Sequence, residues 1–157
     1  MAVTSVNKIS LVSDIWKNFR DRIIDQVTSV DITGSQTITI KNTFTSFPDF
    51  ETESKDNYPI IIIESPSISS DMFTNGKNMV SGEISIEIYA TQAEAAEKFL
   101  SKISNAIETY VPSLGQVGFR NVYISDSDSD SAERGQIKLH LRSITFSFNI
   151  NILKEGY

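Results

Sequence analysis

The closing stretch, residues 136–152, constrains this chain more than any other. Its apolar and polar residues alternate, as in a strand with one covered face, yet the alternation changes phase. Ile137, Leu139 and Leu141 are apolar at odd positions, whereas Ile144, Phe146, Phe148, Ile150 and Ile152 are apolar at even ones. At ~3.3 Å per residue the stretch would extend about 56 Å, against roughly 40 Å for a globule of this length. A β-bulge near Arg142-Ser143 would return both sets to one face. An unbroken or merely bent strand would instead carry its outer half past its own core, where a neighbouring subunit would cover it. The second arrangement is the expected one, because 157 residues leave little apolar material to cover both faces.

The remaining pattern predicts helix, strand, strand, strand, helix, then a terminal hairpin. The first helix is expected from Asp14 to Val30, with Ser13 as N-cap. On it Ile15, Trp16, Phe19, Ile23, Val27 and Val30 share an arc of about 120°. The second begins at Thr91, where Thr91 and Glu94 have capping-box spacing, and Pro112 is expected to close it. Ala93, Ala96, Phe99, Leu100, Ile103, Ala106, Ile107, Tyr110 and Val111 fill one face, and every charged residue lies off it. Ile84, Ile86 and Ile88 alternate with polar partners, so that strand is half-covered. Ile60–Ile63 is wholly β-branched and follows Tyr58-Pro59, which suits a strand buried on both faces. Thr37 to Ile40 forms a weaker strand. Residues 117–124 pair with the closing strand across a polar tip at 126–134.

These elements define an α+β class: a mixed, mostly antiparallel sheet of about five strands with two helices packed on it, in a single domain over residues 1–157. Phe99, Leu100, Ile103 and Ile107 should meet Trp16, Phe19 and Ile23, or the sheet beneath. Two connections, 44–57 and 65–82, exceed the ~12 to 15 residues usual for a structureless loop. They carry Phe44, Phe47, Phe50, Met72, Phe73 and Met79 among polar residues. Aromatic and methionine side chains in such segments either anchor an interface or tuck beneath their own loops. Phe47, Phe50, Met72, Phe73, Ile137, Leu139 and Leu141 are therefore the candidate interface residues.

Reactive chemistry finds little footing. The chain has no cysteine and one histidine, so thiol catalysis, disulfides and a His-rich metal site are excluded. His140, between Lys138 and Arg142, reads as a solvated strand residue. Asp126, Asp128 and Asp130 open like a calcium loop, but that loop needs glycine at its sixth position and glutamate at its twelfth; Ser131 and Ile137 stand there. Glu83 and Glu87 share a strand face about 13 Å apart, too far for one ion. No G-x-S-x-G elbow, P-loop or G-x-G-x-x-G is present. No catalytic, cofactor or metal site is expected, and hence no enzyme.

A net charge of −6 opposes electrostatic gripping of nucleic acid, though it would suit a protein that lets DNA pass without holding it. No apolar run approaches the ~20 residues of a membrane span, and the N-terminus lacks a secretory layout.

The order of elements resembles the tail-terminator and tail-completion (head–tail joining) family of long-tailed phages and related viruses. The resemblance rests on the opening amphipathic helix, Tyr58-Pro59 with Ile60–Ile63, and the alternating strand at 81–90. The helix from Thr91 and the closing run Arg142-Ser143-Ile144-Thr145-Phe146-Ser147-Phe148 complete it. It covers about three quarters of the chain; the acidic tip and the two long loops are unplaced in it. It implies a virion subunit, made in the host cytoplasm, that forms a homohexameric ring between the tail tube and the head connector or stopper. Its partners would be its own copies, the tube protein and the connector, with DNA passing through and no membrane. Another neck or tail-tube component, or a cellular non-enzymatic binding module, are the alternative readings.

Overall fold

The computed structural model describes residues 10–72 and 77–153. Helix α1 (Leu11–Gln26) leads into a small antiparallel pair, β1 (Ser29–Ile32) and β2 (Gln36–Thr39). The main sheet contains β3 (Asn42–Phe44), β4 (Ile60–Ile63), β5 (Ser67–Met72), β6 (Lys77–Ala90), β7 (Phe119–Arg134) and β8 (Ile137–Leu153), with helix α2 (Ala93–Gln116) between β6 and β7. Its order is β3-β4-β6-β8-β7, and β5 pairs with β6 beyond the end of β4. Only β3 and β4 run parallel among these pairs. The expected class holds, with six strands in the main sheet among the described residues in place of about five.

Both helices lie on one face of the sheet. Phe19 and Ile23 of α1, Phe99, Ile103 and Ile107 of α2, and Ile84, Ile86, Ile88, Ile144, Phe146 and Phe148 of the sheet form one buried cluster. Phe19 stands at its centre, with ring centroids 5.8 Å from both Phe146 and Phe148 and 6.1 Å from Phe119. Leu100 packs against this cluster but is only half-buried, because it sits at the margin of the apolar arc.

Several element bounds differ from those expected. Helix α1 starts three residues earlier and ends at Gln26. Ser10 occupies its N-cap position, and its hydroxyl donates to Asp14 at 2.6 Å. Val27 leaves helical geometry, and Val30, assigned to the helix arc by its periodicity, lies instead in β1. The run Val27-Thr28-Ser29-Val30 is rich in β-branched residues that favour extended backbone, and both valines still reach the core.

The capping box of α2 does not form. Gln92 holds the N-cap position without a side-chain bond. Glu94 instead accepts the Thr33 backbone N–H at 3.1 Å and the Thr33 hydroxyl at 3.1 Å, and pairs with Lys98 at 3.1 Å. Two bonds to Thr33 and the ion pair within the helix outcompete one local bond, and the Thr33 bonds tie α2 to the β1–β2 turn. Pro112 does not end the helix, which continues to Gln116. An interior proline costs roughly 3 kcal/mol, and the fully buried Leu114 just beyond it returns about 1.5 to 3 kcal/mol.

The closing strand β8 is unbroken. Its register with β6 runs without interruption from Lys77↔Leu153 to Ala90↔His140, and the irregularities fall in β7, between Arg120 and Tyr123 and between Ile124 and Asp126. The strand exceeds the helical layer in length because β6 and β7, its partners, are nearly as long. The expectation that a neighbouring subunit covers the odd face is corrected for Ile137 and Leu139, which this chain covers itself. Ile137 and Leu139 are buried with Tyr58, Ile60 and Ile62, beneath Phe44, Phe47 and Phe50. The apolar face of β8 switches because two different layers cover its two halves, helices on one side and the 45–57 loop on the other.

Among the described residues, both of the other expected irregular segments contain strand. Residues 65–82 contain β5 and the first part of β6, and the polar tip at 126–134 belongs to β7. Only Gly135 and Gln136 separate β7 from β8, and Gly135 takes the positive φ of 61° that a two-residue turn demands.

Candidate interaction surface

The sheet face away from the helices divides into two regions. At the end nearer the β7–β8 turn, the 45–57 loop lays an aromatic cluster over it. Phe47 stacks edge-on to Tyr89 at 4.9 Å, Phe50 meets Tyr58 at 5.8 Å, and Arg134 lies 4.3 Å over the Phe47 ring. Two phenol–carboxylate bonds flank the cluster, Tyr58 to Glu53 at 3.0 Å and Tyr89 to Glu87 at 3.1 Å. Burial, reinforced by the neighbouring carboxylates, pushes both phenols up to about 12. Burial also raises the carboxyl of Glu87, although the Tyr89 hydroxyl opposes that shift.

The other region is open and polar. Cross-strand partners in β6 and β8 bond side chain to side chain: Ser81 to Asn149 at 2.8 Å, Ser147 to Glu83 at 3.2 Å, and Ser85 with Thr145 at 3.0 Å. The register places these pairs directly opposite one another, the geometry in which short polar side chains meet. The result is a ladder of hydroxyls, an amide and a carboxylate along the sheet.

Strand β7 forms one edge of the sheet, and its backbone is shielded by its own side chains. Asp126, Asp128 and Asp130 accept the N–H groups of Ser127, Ser129 and Ser131 at 2.9, 2.8 and 2.7 Å. These donors recur every second residue, the spacing of N–H groups pointing away from the paired neighbour. Capping them with carboxylates blocks addition of a further strand. The run that resembled a calcium loop is therefore extended edge strand, and its carboxylates are engaged one by one with the backbone.

The other reactive candidates are not brought together. Glu83 and Glu87 each engage a different hydroxyl. His140 is half-buried in the last β6–β8 pair, opposite Ala90. No cluster of three or more His, Cys, Asp or Glu side chains among the described residues could hold a metal. No helix among them is long and apolar enough to cross a membrane.

Of the candidate interface residues, Leu139 is fully buried and Ile137 nearly so. Phe47 and Phe50 are half-buried above them, and Leu141 is half-buried opposite Tyr89. Met72 ends β5, and Phe73 lies outside the described residues. Phe47, Phe50, Ile137 and Leu139 thus belong to one intramolecular cluster. The polar ladder had no sequence signal beyond the serines and threonines opposite apolar positions, since pairing is a property of register.

No protein-family model matches the chain, and no curated protein matches it. Among solved structures, it is similar to a chain of the virion of the native gene transfer agent (GTA) particle. That similarity has 8% identity and a TM-score of 0.44, over 71% of this chain and 78% of the other.

Proposed function

We propose that this chain is a non-catalytic structural subunit of a tailed-virus particle. In this reading six copies form a ring at the head-proximal end of the tail, end the tail tube and join it to the head connector. The order of elements supports it: an amphipathic helix, the Ile60–Ile63 strand, the long alternating strand, the second helix and the closing aromatic strand.

The observation that carries the reading is the uneven cover of the sheet. Both helices occupy one face, while the other keeps a polar ladder of Ser81, Glu83, Ser85, Thr145, Ser147 and Asn149, with Glu83 exposed and Ser147 buried beside it. A sheet face that is ordered, polar and, among the described residues, without a second layer suits the wall of a water-filled passage. With a chain charge of −6, such a wall repels a polyanion and so lets DNA move through without being held.

Electron microscopy of particles carrying an affinity tag on this subunit tests the proposal. Label is expected as a single ring between head and tail. Label along the whole tube, or none on the particle, would rule it out.

A further inference from the structure

The edges of the main sheet are guarded unevenly. On β7 three aspartates take backbone N–H groups, and on β3 the Asn42 side chain takes the Thr43 N–H at 2.9 Å. Strand β5 is also an edge, since among the described residues it pairs with β6 alone. Its register is continuous from Ser67↔Glu83 to Met72↔Asn78, without a bulge, and it contains no proline. Ser67, Ile68 and Ser69 are exposed, and no described side chain caps their backbone. In an antiparallel edge strand, alternate residues turn both N–H and C=O away from the partner. Half of the six residues of β5 thus present free donors and acceptors, a template for a further strand.

The fold leaves a place for that strand. Strands β4 and β5 follow one another along the same side of β6, β4 opposite Ile86–Tyr89 and β5 opposite Asn78–Glu83. Strand β3 flanks β4 only, and its last pair is Phe44 with Ile62. The chain then departs as the 45–57 loop, so the position beside β5, in line with β3, holds no strand among the described residues. A groove of about 670 Å³ spans the gap from Thr45, just past β3, to Ile68 on β5, with Leu11, Val12 and Trp16 of α1 along its helix side.

The two sides of that position differ in chemistry. Towards the helices stands Ile68, opposite Gly82 and 38% exposed. On the face away from the helices stand Ser67 and the exposed carboxylate of Glu83 opposite it. Glu64 is exposed on that face too, near enough to Glu87 to help raise its carboxyl. The ion pairs among the described residues involve neither Glu64 nor Glu83. Side chains of an added strand alternate with the same pleat, so one set meets Ile68 and the other meets these carboxylates.

We propose that the β5 edge takes an extended segment of another protein, alternating apolar and basic residues, as an added strand. The stretch of this chain with that alternation, Ile137–Arg142, is already paired with β6 on one side and β7 on the other, so a second folded copy does not supply it. Backbone bonds give such a contact its affinity and the alternating side chains its selectivity. The contact does not depend on a ring.

Amide hydrogen exchange of the full chain with a synthetic probe tests it. The probe is a blocked peptide of alternating valine and lysine, long enough to span β5. With peptide at ten times its measured Kd, exchange at the outward amides of Ser67–Met72 should slow about tenfold. The fully N-methylated peptide keeps the side chains but loses its N–H donors, and it should not bind. Glu64→Gln combined with Glu83→Gln should weaken the lysine peptide by about two- to fivefold for each exposed charge removed, and leave a valine–serine peptide unaffected. No slowing at β5 in millimolar peptide, slowing confined to another edge, or equal binding of the N-methylated peptide overturns the added strand. Equal affinity of the double variant for the lysine peptide overturns the basic partner. Slow exchange at β5 without peptide that disappears on dilution would place a second copy there and overturn the proposal as well.

Discussion

The ring of Phe148 lies across Gly82 so closely that a β-carbon there would approach its Cζ to 2.7 Å and its Cε2 to 2.8 Å. The Ser67 carbonyl, at 3.0 Å, bars escape along the sheet. Gly82→Ala should therefore destabilise by about 1 to 3 kcal/mol, the usual cost of overpacking. Phe148→Leu removes the obstructing atoms, so the two changes together should cost less than their sum. A double-mutant cycle by urea denaturation measures that coupling, and additive costs would show that Phe148 is not the obstacle.

Leu139 is fully enclosed by Ile60, Ile62, Tyr58 and the aromatic residues of the 45–57 loop. Leu139→Ala should cost about 2 to 5 kcal/mol in the isolated subunit. The loss should be the same whether or not the protein is assembled, since its cover is intramolecular. Comparing denaturation at concentrations above and below assembly tests this; a loss confined to the assembled form would move the cover to a neighbouring copy.

Arg22 is 1% exposed, and none of its three side-chain nitrogens has a hydrogen-bond partner. Its guanidinium lies 4.2 Å over the ring of Tyr110. A buried charge without polar partners is costly, and an apolar side chain of similar length is commonly neutral or better in its place. Arg22→Met should unfold at the same or a higher urea concentration than wild type. Tyr110→Leu should cost about 1 to 2 kcal/mol beside Arg22 and less in the Arg22→Met background. A clear loss in Arg22→Met would mean that the guanidinium supports the fold.

Tyr58 and Tyr89 hold their protons to about pH 12 in the fold, against 10.0 for a free phenol. A folded-state pKa above the unfolded one means that the fold binds these protons more tightly. Their contribution is therefore complete below pH 10 and is lost as pH rises towards 12. Tyr58→Phe with Tyr89→Phe should flatten the fall in stability across that window. Glu87, raised by burial, has the same sign at lower pH: the fold loses stability as that carboxyl ionises. Glu87→Gln should thus gain more at neutral pH than in acid. Urea melts at pH 4, 7, 10 and 11 check both.

Much of this architecture was legible from residue pattern alone. Ile84, Ile86 and Ile88 alternate because one face of β6 meets the helices, and Ile60–Ile63 carries no alternation because both its faces are buried. Periodicity reports burial, so it reveals elements that divide inside from outside. It was silent on β5, where Ser67, Ile68 and Ser69 are exposed, and on the outer part of β7, whose side chains mostly face water. The candidate interface suffered from the same ambiguity: an apolar side chain such as Leu139 states that it needs cover, but not whose.

By itself, then, the sequence determined the two helices, the central strands and the change of apolar face along β8, because each follows from the spacing of residues near one another. Only the tertiary structure decided what those faces meet. It brought the 45–57 loop over Leu139, redirected Glu94 from Thr91 to Thr33, and carried α2 through Pro112 to bury Leu114. For Glu94 and Pro112 a local preference worth about 1 to 3 kcal/mol was set against contacts between residues distant in the chain. Those contacts prevail because they bury surface or satisfy several partners at once, and no local reading of residue spacing contains them.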